Sequence, residues 1–229
     1  MAKVITIFGE SGSGKTTAMR TLDPKETYYI DCDKKGLSWK GWREQYSMKA
    51  KNFVQTDFPQ IVQKALLYLD GKELTDKGEV TEAKNKDGLK FKYVVVDTLN
   101  GIMIGQEFRD SKRTGFDKWQ DLANYIWGLL DLALTLRDDL TVIFICHSET
   151  VSDDNGIVET HIKTSGRKLR KMVPESKMNT VLLADYTADG QHILWTRKPG
   201  TTAKAPMGAF DTDYIENDIQ LVLKALAEF

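Results

Sequence analysis

The sequence predicts an α/β fold with a mostly parallel sheet flanked by helices and antiparallel strands added toward the C-terminus. Three observations lead there. Residues 4–8 are a β-branched and aromatic run that ends in a glycine-rich turn and then enters a helix-forming stretch. Residues 93–96 and 142–146 are continuously apolar, the pattern of strands buried on both faces of a parallel sheet. Segments with apolar residues at helical spacing, too long for strands, lie between such runs.

The elements follow in order. After the glycine turn, residues 15–22 continue as a helix, and residues 27–30 form a second strand that stops at Asp31 and Asp33. Asp57 and Pro59 open a helix whose apolar face includes Ile61, Ala65, Leu66 and Leu69; proline fits a first helical turn because its missing N–H is not needed there. From 71 to 92 half of the residues are charged and periodicity is lost, so this stretch reads as an exposed loop or hairpin within a single domain spanning 1–229. Phe116, Trp119, Leu122, Ala123, Ile126, Leu129, Leu130, Ala133 and Leu134 recur at helical spacing and predict a long amphipathic helix ending near Arg137. A strand over 141–146 follows. Beyond His147 the character changes: Asp153-Asp154-Asn155-Gly156 is a hairpin-turn signal, and a basic stretch over 163–177 leads to a strand at 181–184. The turn Ala188-Asp189-Gly190 joins it to a strand over 192–196. Asp213 starts the last helix, with Ile215, Ile219, Val222, Leu223 and Leu226 as its apolar face.

Composition narrows the function classes. The 229 residues are 41% hydrophobic and 28% charged, enough for a sizeable core. With 32 basic against 33 acidic side chains the net charge is −1, so any contact with nucleic acid is local and not a coat over the whole surface. Cys32 and Cys146 lie far apart with no ligand spacing around them, which indicates neither a disulfide framework nor a structural zinc site and suits the cytoplasm. The apolar run 125–136 is interrupted by Asp131 and too short to span a bilayer, so no membrane partner is expected.

The strongest motif is Gly9-Glu10-Ser11-Gly12-Ser13-Gly14-Lys15-Thr16, which fits GxxxxGK[ST] between a strand and a helix. Its glycines permit close backbone approach, so successive N–H groups, continuing to Thr17, can surround a polyphosphate. In this pattern Lys15 neutralises the β- and γ-phosphates of ATP and Thr16 ligates Mg²⁺. Residues 92–98, KYVVVDT, have the form of a strand that holds a carboxylate, Asp97, beside that metal. Asp31 and Asp33 end another strand at the edge where ligands bind in such sheets, and one of them suits polarising a water. His147 ends the 142–146 run at the same edge, as a γ-phosphate sensor or as a plain surface histidine. Lys163, Arg167, Lys168, Arg170, Lys171 and Lys177 fit either a track for a phosphate backbone or a solvated basic surface. Trp39 and Trp42 suit edge packing better than stacking on a base.

With these residues in place the chain resembles a RecA-type P-loop ATPase, and most of all the small phage nucleotide-binding proteins of that superfamily associated with single-strand annealing and recombination. GESGSGKTT at 9–17, YYIDCD at 28–33, YVVVDT at 93–98 and VIFICH at 142–147 carry the resemblance. It implies a RecA-like core using ATP and Mg²⁺, located in the cytoplasm, that of the host if phage-encoded. By this similarity Asp33 stands where the family has a water-orienting glutamate, and His147 stands at the sensor position, often a glutamine. The region from Ser148 through the basic cluster corresponds to the DNA-contacting loop, with Lys163, Arg167, Lys168, Arg170 and Lys171 as its cations. The segment 196–206, TRKPGTTAKAP, resembles the one whose lysines, here Lys198 and Lys204, reach the ATP of a neighbouring subunit. With eight residues ahead of Gly9, the resemblance implies a core-only version that self-associates as a ring or filament through the core.

The expected activity is therefore ATP hydrolysis coupled to assembly on single-stranded DNA, with a single-strand binding protein as a further partner. Two other classes share the phosphate loop. A small-molecule or nucleotide kinase adds an acceptor pocket and an arginine-bearing lid, and a nucleotide-switched interaction protein binds ATP with little turnover.

Overall fold

The structure is a computed structural model that describes residues 2–152, 156 and 158–229, the side chain of Arg167 excepted. In chain order the strands are β1 (Lys3–Gly9), β2 (Thr27–Asp31), β3 (Phe53–Gln55), β4 (Lys72–Leu74), β5 (Val80–Glu82), β6 (Tyr93–Asp97), β7 (Thr141–Ser152), β8 (Val158–Ile162), β9 (Thr180–Tyr186), β10 (His192–Trp195) and β11 (Tyr214–Glu216). The α-helices are α1 (Trp42–Gln45), α2 (Pro59–Leu69), α3 (Leu99–Arg109), α4 (Asp117–Thr135), α5 (Arg167–Met172) and α6 (Ile219–Glu228).

Among the described residues the main sheet runs β11-β10-β9-β1-β7-β6-β2-β3, with β8 paired to β7. From β9 to β3 every pairing is parallel, whereas β8, β10 and β11 join antiparallel. This is the fold class read from the sequence, a P-loop NTPase core. Side chains alternate along each strand and so separate two cores. Val4, Phe8, Val94, Val96, Val142 and Phe144 face α2, α3 and α4; Ile5, Ile7, Tyr29, Val95, Ile143 and Ile145 face Met19, Tyr46 and α6. Trp39 and Trp42 pack against the second core, as expected. No helix of the described residues is long and apolar enough to cross a membrane.

Register explains why distant motifs meet. Gly9 lies opposite His147, and Asp31 lies opposite Asp97, all at the C-terminal edge of the parallel strands. A ligand site forms at that edge because the chain turns from strand to loop there and leaves backbone groups free.

Several elements differ from the sequence reading. In place of the helix expected over 15–22 there is a 3₁₀ helix, Thr17–Thr21, since Pro24 holds the preceding residues extended and β2 begins soon after. Strand β7 does not stop at Cys146 but runs on to Ser152 and folds against β8, with Ser148 opposite Ile162. Strands β7 and β8 pair antiparallel on either side of the expected hairpin turn, and α5 and a 3₁₀ turn at Pro174–Lys177 follow, so the region from 148 to 177 is more ordered than the loop expected for it. Positions 153–155 of the anticipated turn lie outside the described residues. Asp213 does not start the last helix: Ile215 belongs to β11, opposite Leu194, and Asp218 caps α6 by accepting the Gln220 N–H at 2.9 Å. The spacing of four between Ile215 and Ile219 mimicked a helical repeat. Ile61 and Phe116 are exposed and face neither core. Helix α3 was not expected, because Gly101 and Gly105 interrupt its periodicity; Thr98 caps it, with its hydroxyl oxygen accepting the Gly101 N–H at 2.9 Å. The charged stretch 71–92 contains a two-stranded hairpin of β4 and β5.

Candidate active site

The loop after β1 wraps a cavity of about 330 Å³. Ser11, Gly12, Gly14, Lys15, Thr16 and Thr17 line one side of it. Gly12 and Gly14 sit at φ +86° and +91°, a region that side-chain-bearing residues rarely adopt. At Gly14 a Cβ would also meet Asn217 Nδ2 at 2.5 Å and His192 Nδ1 at 2.8 Å. The Asn217 amide donates to Gly14 O at 3.0 Å, and the Tyr186 hydroxyl donates to Gly12 O at 2.7 Å, so the C-terminal strands brace the loop from outside.

Lys15 is buried and donates to Gly9 O at 2.8 Å and Glu10 O at 2.5 Å. Burial draws its pKa down to about 8, against the opposing pull of Asp97. An anion placed in the cavity restores what burial removed, because it supplies the counter-charge that the ammonium lacks.

Asp97, at the end of β6, is buried. Its Oδ2 accepts the Thr16 hydroxyl at 2.8 Å and the Tyr29 hydroxyl at 2.7 Å, while its Oδ1 is buried without a partner. Burial raises its pKa, and the bonds from Tyr29 and Thr16 only partly offset this. An unpartnered carboxylate oxygen beside a threonine hydroxyl is the oxygen donor set that Mg²⁺ takes, with phosphates and waters completing its shell. The residues present therefore fit the metal that the motif implies.

Sequence reasoning left Asp31 and Asp33 as alternatives, and the structure separates them. Asp31 Oδ2 accepts from Gly36 N at 2.8 Å and Gln55 Nε2 at 2.9 Å, which makes it a fastening of the loop after β2. Asp33 is bonded to two residues that line the cavity, its Oδ1 accepting the Thr98 hydroxyl at 2.9 Å and its Oδ2 paired to Lys35 at 2.6 Å. Gly101 makes this possible: a Cβ there would lie 2.6 Å from Asp33 Oδ1 and 2.7 Å from Cys32 O. His147 lines the cavity opposite, and its N–H donates to Asn100 Oδ1 at 2.7 Å. Burial, then the nearby Lys15 charge, hold its imidazole below the usual histidine range and keep it neutral near pH 7.

Other expected site residues lie elsewhere. Lys198 is paired to Asp185 at 2.6 Å and sits over the Trp195 ring, and Lys204 exchanges backbone hydrogen bonds with Val181. Neither lines the phosphate cavity of its own chain. Lys163, Lys168, Arg170 and Lys171 are exposed on and before α5; the Arg167 side chain lies outside what is described, and Lys177 is paired to Asp131. The residues missed were Lys35, Thr98, Tyr29, His192 and Asn217. Of these, Thr98 carried a signal, since a threonine directly after a strand-end aspartate is a common helix cap.

The AAA domain family matches residues 1–206. A comparison with curated proteins found no match. The glycine loop, the strand bearing Asp97 and the parallel sheet that joins them all fall within the matched span, and the chain belongs to the AAA domain family of P-loop ATPases.

Proposed function

We propose that this ATPase hydrolyses ATP with Mg²⁺ in the RecA-like manner and that its nucleotide state governs assembly on single-stranded DNA, in annealing or strand exchange of the phage type. The observation that carries the catalytic part is the buried, unpartnered Oδ1 of Asp97, whose other oxygen is bonded to Thr16. Thr16 and Asp97 would hold magnesium, which would supply positive charge to offset the negative charge of the triphosphate. Lys15 and the loop N–H groups hold the β- and γ-phosphates, Asp33 accepts a hydrogen bond from the attacking water, and neutral His147 reports the γ-phosphate to β7. The water oxygen bonds to the γ-phosphorus, the bond to the β–γ bridging oxygen breaks with its electron pair left on ADP, and the water proton passes to inorganic phosphate.

The DNA part is supported by an arrangement that the sequence did not show. The basic stretch has no aromatic residue of its own, yet Phe116 and Trp119 form a cavity of about 570 Å³ with Gly166 and Lys168. Phe116 is 89% exposed. Lys118 lies 5.3 Å above the Trp119 ring. A cation beside an exposed aromatic ring is the kind of surface that follows a phosphate backbone and stacks unpaired bases.

The test is phosphate release in Mg²⁺ with and without single-stranded DNA, beside a screen of small phosphate acceptors. Release stimulated by DNA supports the reading, unstimulated release confines it to ATP hydrolysis, and transfer to an acceptor replaces it with a kinase.

A further inference from the structure

The carboxylate assigned to the attacking water already has a cation. Lys35 lines the same cavity as Lys15, Thr98 and His147, and its ammonium stands 2.6 Å from Asp33 Oδ2. The adjacent Lys34 is turned away, with its own partner in Asp57 at 2.6 Å. This division is built into the turn. Lys34 and Gly36 both adopt positive φ, +58° and +81°, and the Gly36 N–H is fastened to buried Asp31. The backbone carrying Lys35 is thus fixed, while its side chain, half exposed on a four-carbon stem, is free to swing.

We propose that Lys35 is a γ-phosphate ligand that acts by exchanging partners: when ATP enters, its ammonium leaves Asp33 for the γ-phosphate, and Asp33, kept in place by Thr98, becomes the acceptor for the attacking water. The inference rests on the ATPase reading above and assigns it a device that distinguishes ATP from ADP. Charge drives the exchange. A γ-phosphate carries more negative charge than one carboxylate, and Lys35 lines the cavity that the phosphates would enter. ADP ends at the phosphate held by the loop and Lys15, so it offers Lys35 nothing to exchange for, and Asp33 stays paired. No covalent bond changes in this step.

The experiment compares equilibrium binding of ADP and of a non-hydrolysable ATP analogue, both with Mg²⁺, to the full chain and to Lys35→Met, Lys35→Arg and Lys34→Met. Lys35→Met is expected to weaken the analogue by about tenfold to a hundredfold, the usual effect of losing one charge-assisted bond, and ADP by no more than about twofold. Lys35→Arg should recover part of the loss, and Lys34→Met should leave both affinities as they are. Equal weakening of both nucleotides in Lys35→Met, or weakening of neither, overturns this inference and leaves the ATPase reading standing. A wild-type chain that binds neither nucleotide overturns both.

Discussion

Lys15 is held in an environment that disfavours its own charge. With its pKa drawn down to about 8 by burial, nucleotide binding has to return the proton that is lost above that pH. Affinity for Mg²⁺-ATP is expected to be level below pH 8 and to fall about tenfold per pH unit above it, measurable by titration from about pH 6.5 to about pH 9.5. The same shift acts on stability with the opposite sign: the unfolded chain keeps its proton up to the ordinary 10.5, so this residue's penalty is full below pH 8 and relieved as pH rises toward 10.5. Asp97→Asn keeps the shape that Tyr29 and Thr16 bind but loses the charge for magnesium. It should remain folded and lose Mg²⁺-dependent phosphate release by roughly a hundredfold or more, and full activity in magnesium would remove Asp97 from the metal site. At this scale the contiguous residues from Gly9 to Thr17 were legible because their chemistry is local. Lys35 was not, because its part depends on which of two aspartates the fold spends on Gly36 and Gln55, a choice made by side-chain geometry and invisible in spacing.

Helix α3 shows the same limit one level up. Its approach to Cys32 and Asp33, just past β2, needs Gly101, Gly105 lets it close on Asp57, and these two glycines are what hid the helix from periodicity. Gly101→Ala is expected to destabilise the chain by about 1–3 kcal/mol, since the new methyl meets a backbone carbonyl that cannot retreat, and to slow ATP turnover by moving Asp33; thermal unfolding and phosphate release would each register it. Helix α4 was legible along its buried stripe, yet Phe116, at its N-cap, stands in the open. Lys168 and Lys171 on α5 carry the DNA prediction. Reversing both to Glu should weaken single-strand binding regardless of sequence and flatten its salt dependence, the slope falling by about 1 for each phosphate that is no longer neutralised. An unchanged slope would make α5 a solvated surface.

Over the whole molecule, the order of strands was not legible, although the fold class was. Continuous apolar runs announce parallel strands buried on both faces, but which run neighbours which is decided by packing across two cores. That order is what brings Gly9, Asp97, Asp33 and His147 to one edge. It also leaves Lys198 and Lys204 away from their own chain's cavity, so any role at ATP must be played toward a second subunit. Mixing a Lys198→Ala, Lys204→Ala chain with a Lys15→Ala chain, each nearly inactive alone, is expected to restore part of the phosphate release. Co-assembly without rescue at any ratio would end that role. The brace on the phosphate loop has a different kind of reach. The family match stops at residue 206, but Asn217 holds Gly14, the Thr21 hydroxyl donates to Asp218, and Arg20 bonds Asn217 O, so the tail is sewn to the loop's own helix. Whatever stiffens residues 9–17 must also slow the fraying of α6. Amide exchange along residues 219–228 is therefore a distant gauge of nucleotide occupancy, and the cooperative unit extends past the boundary by which its family is recognised.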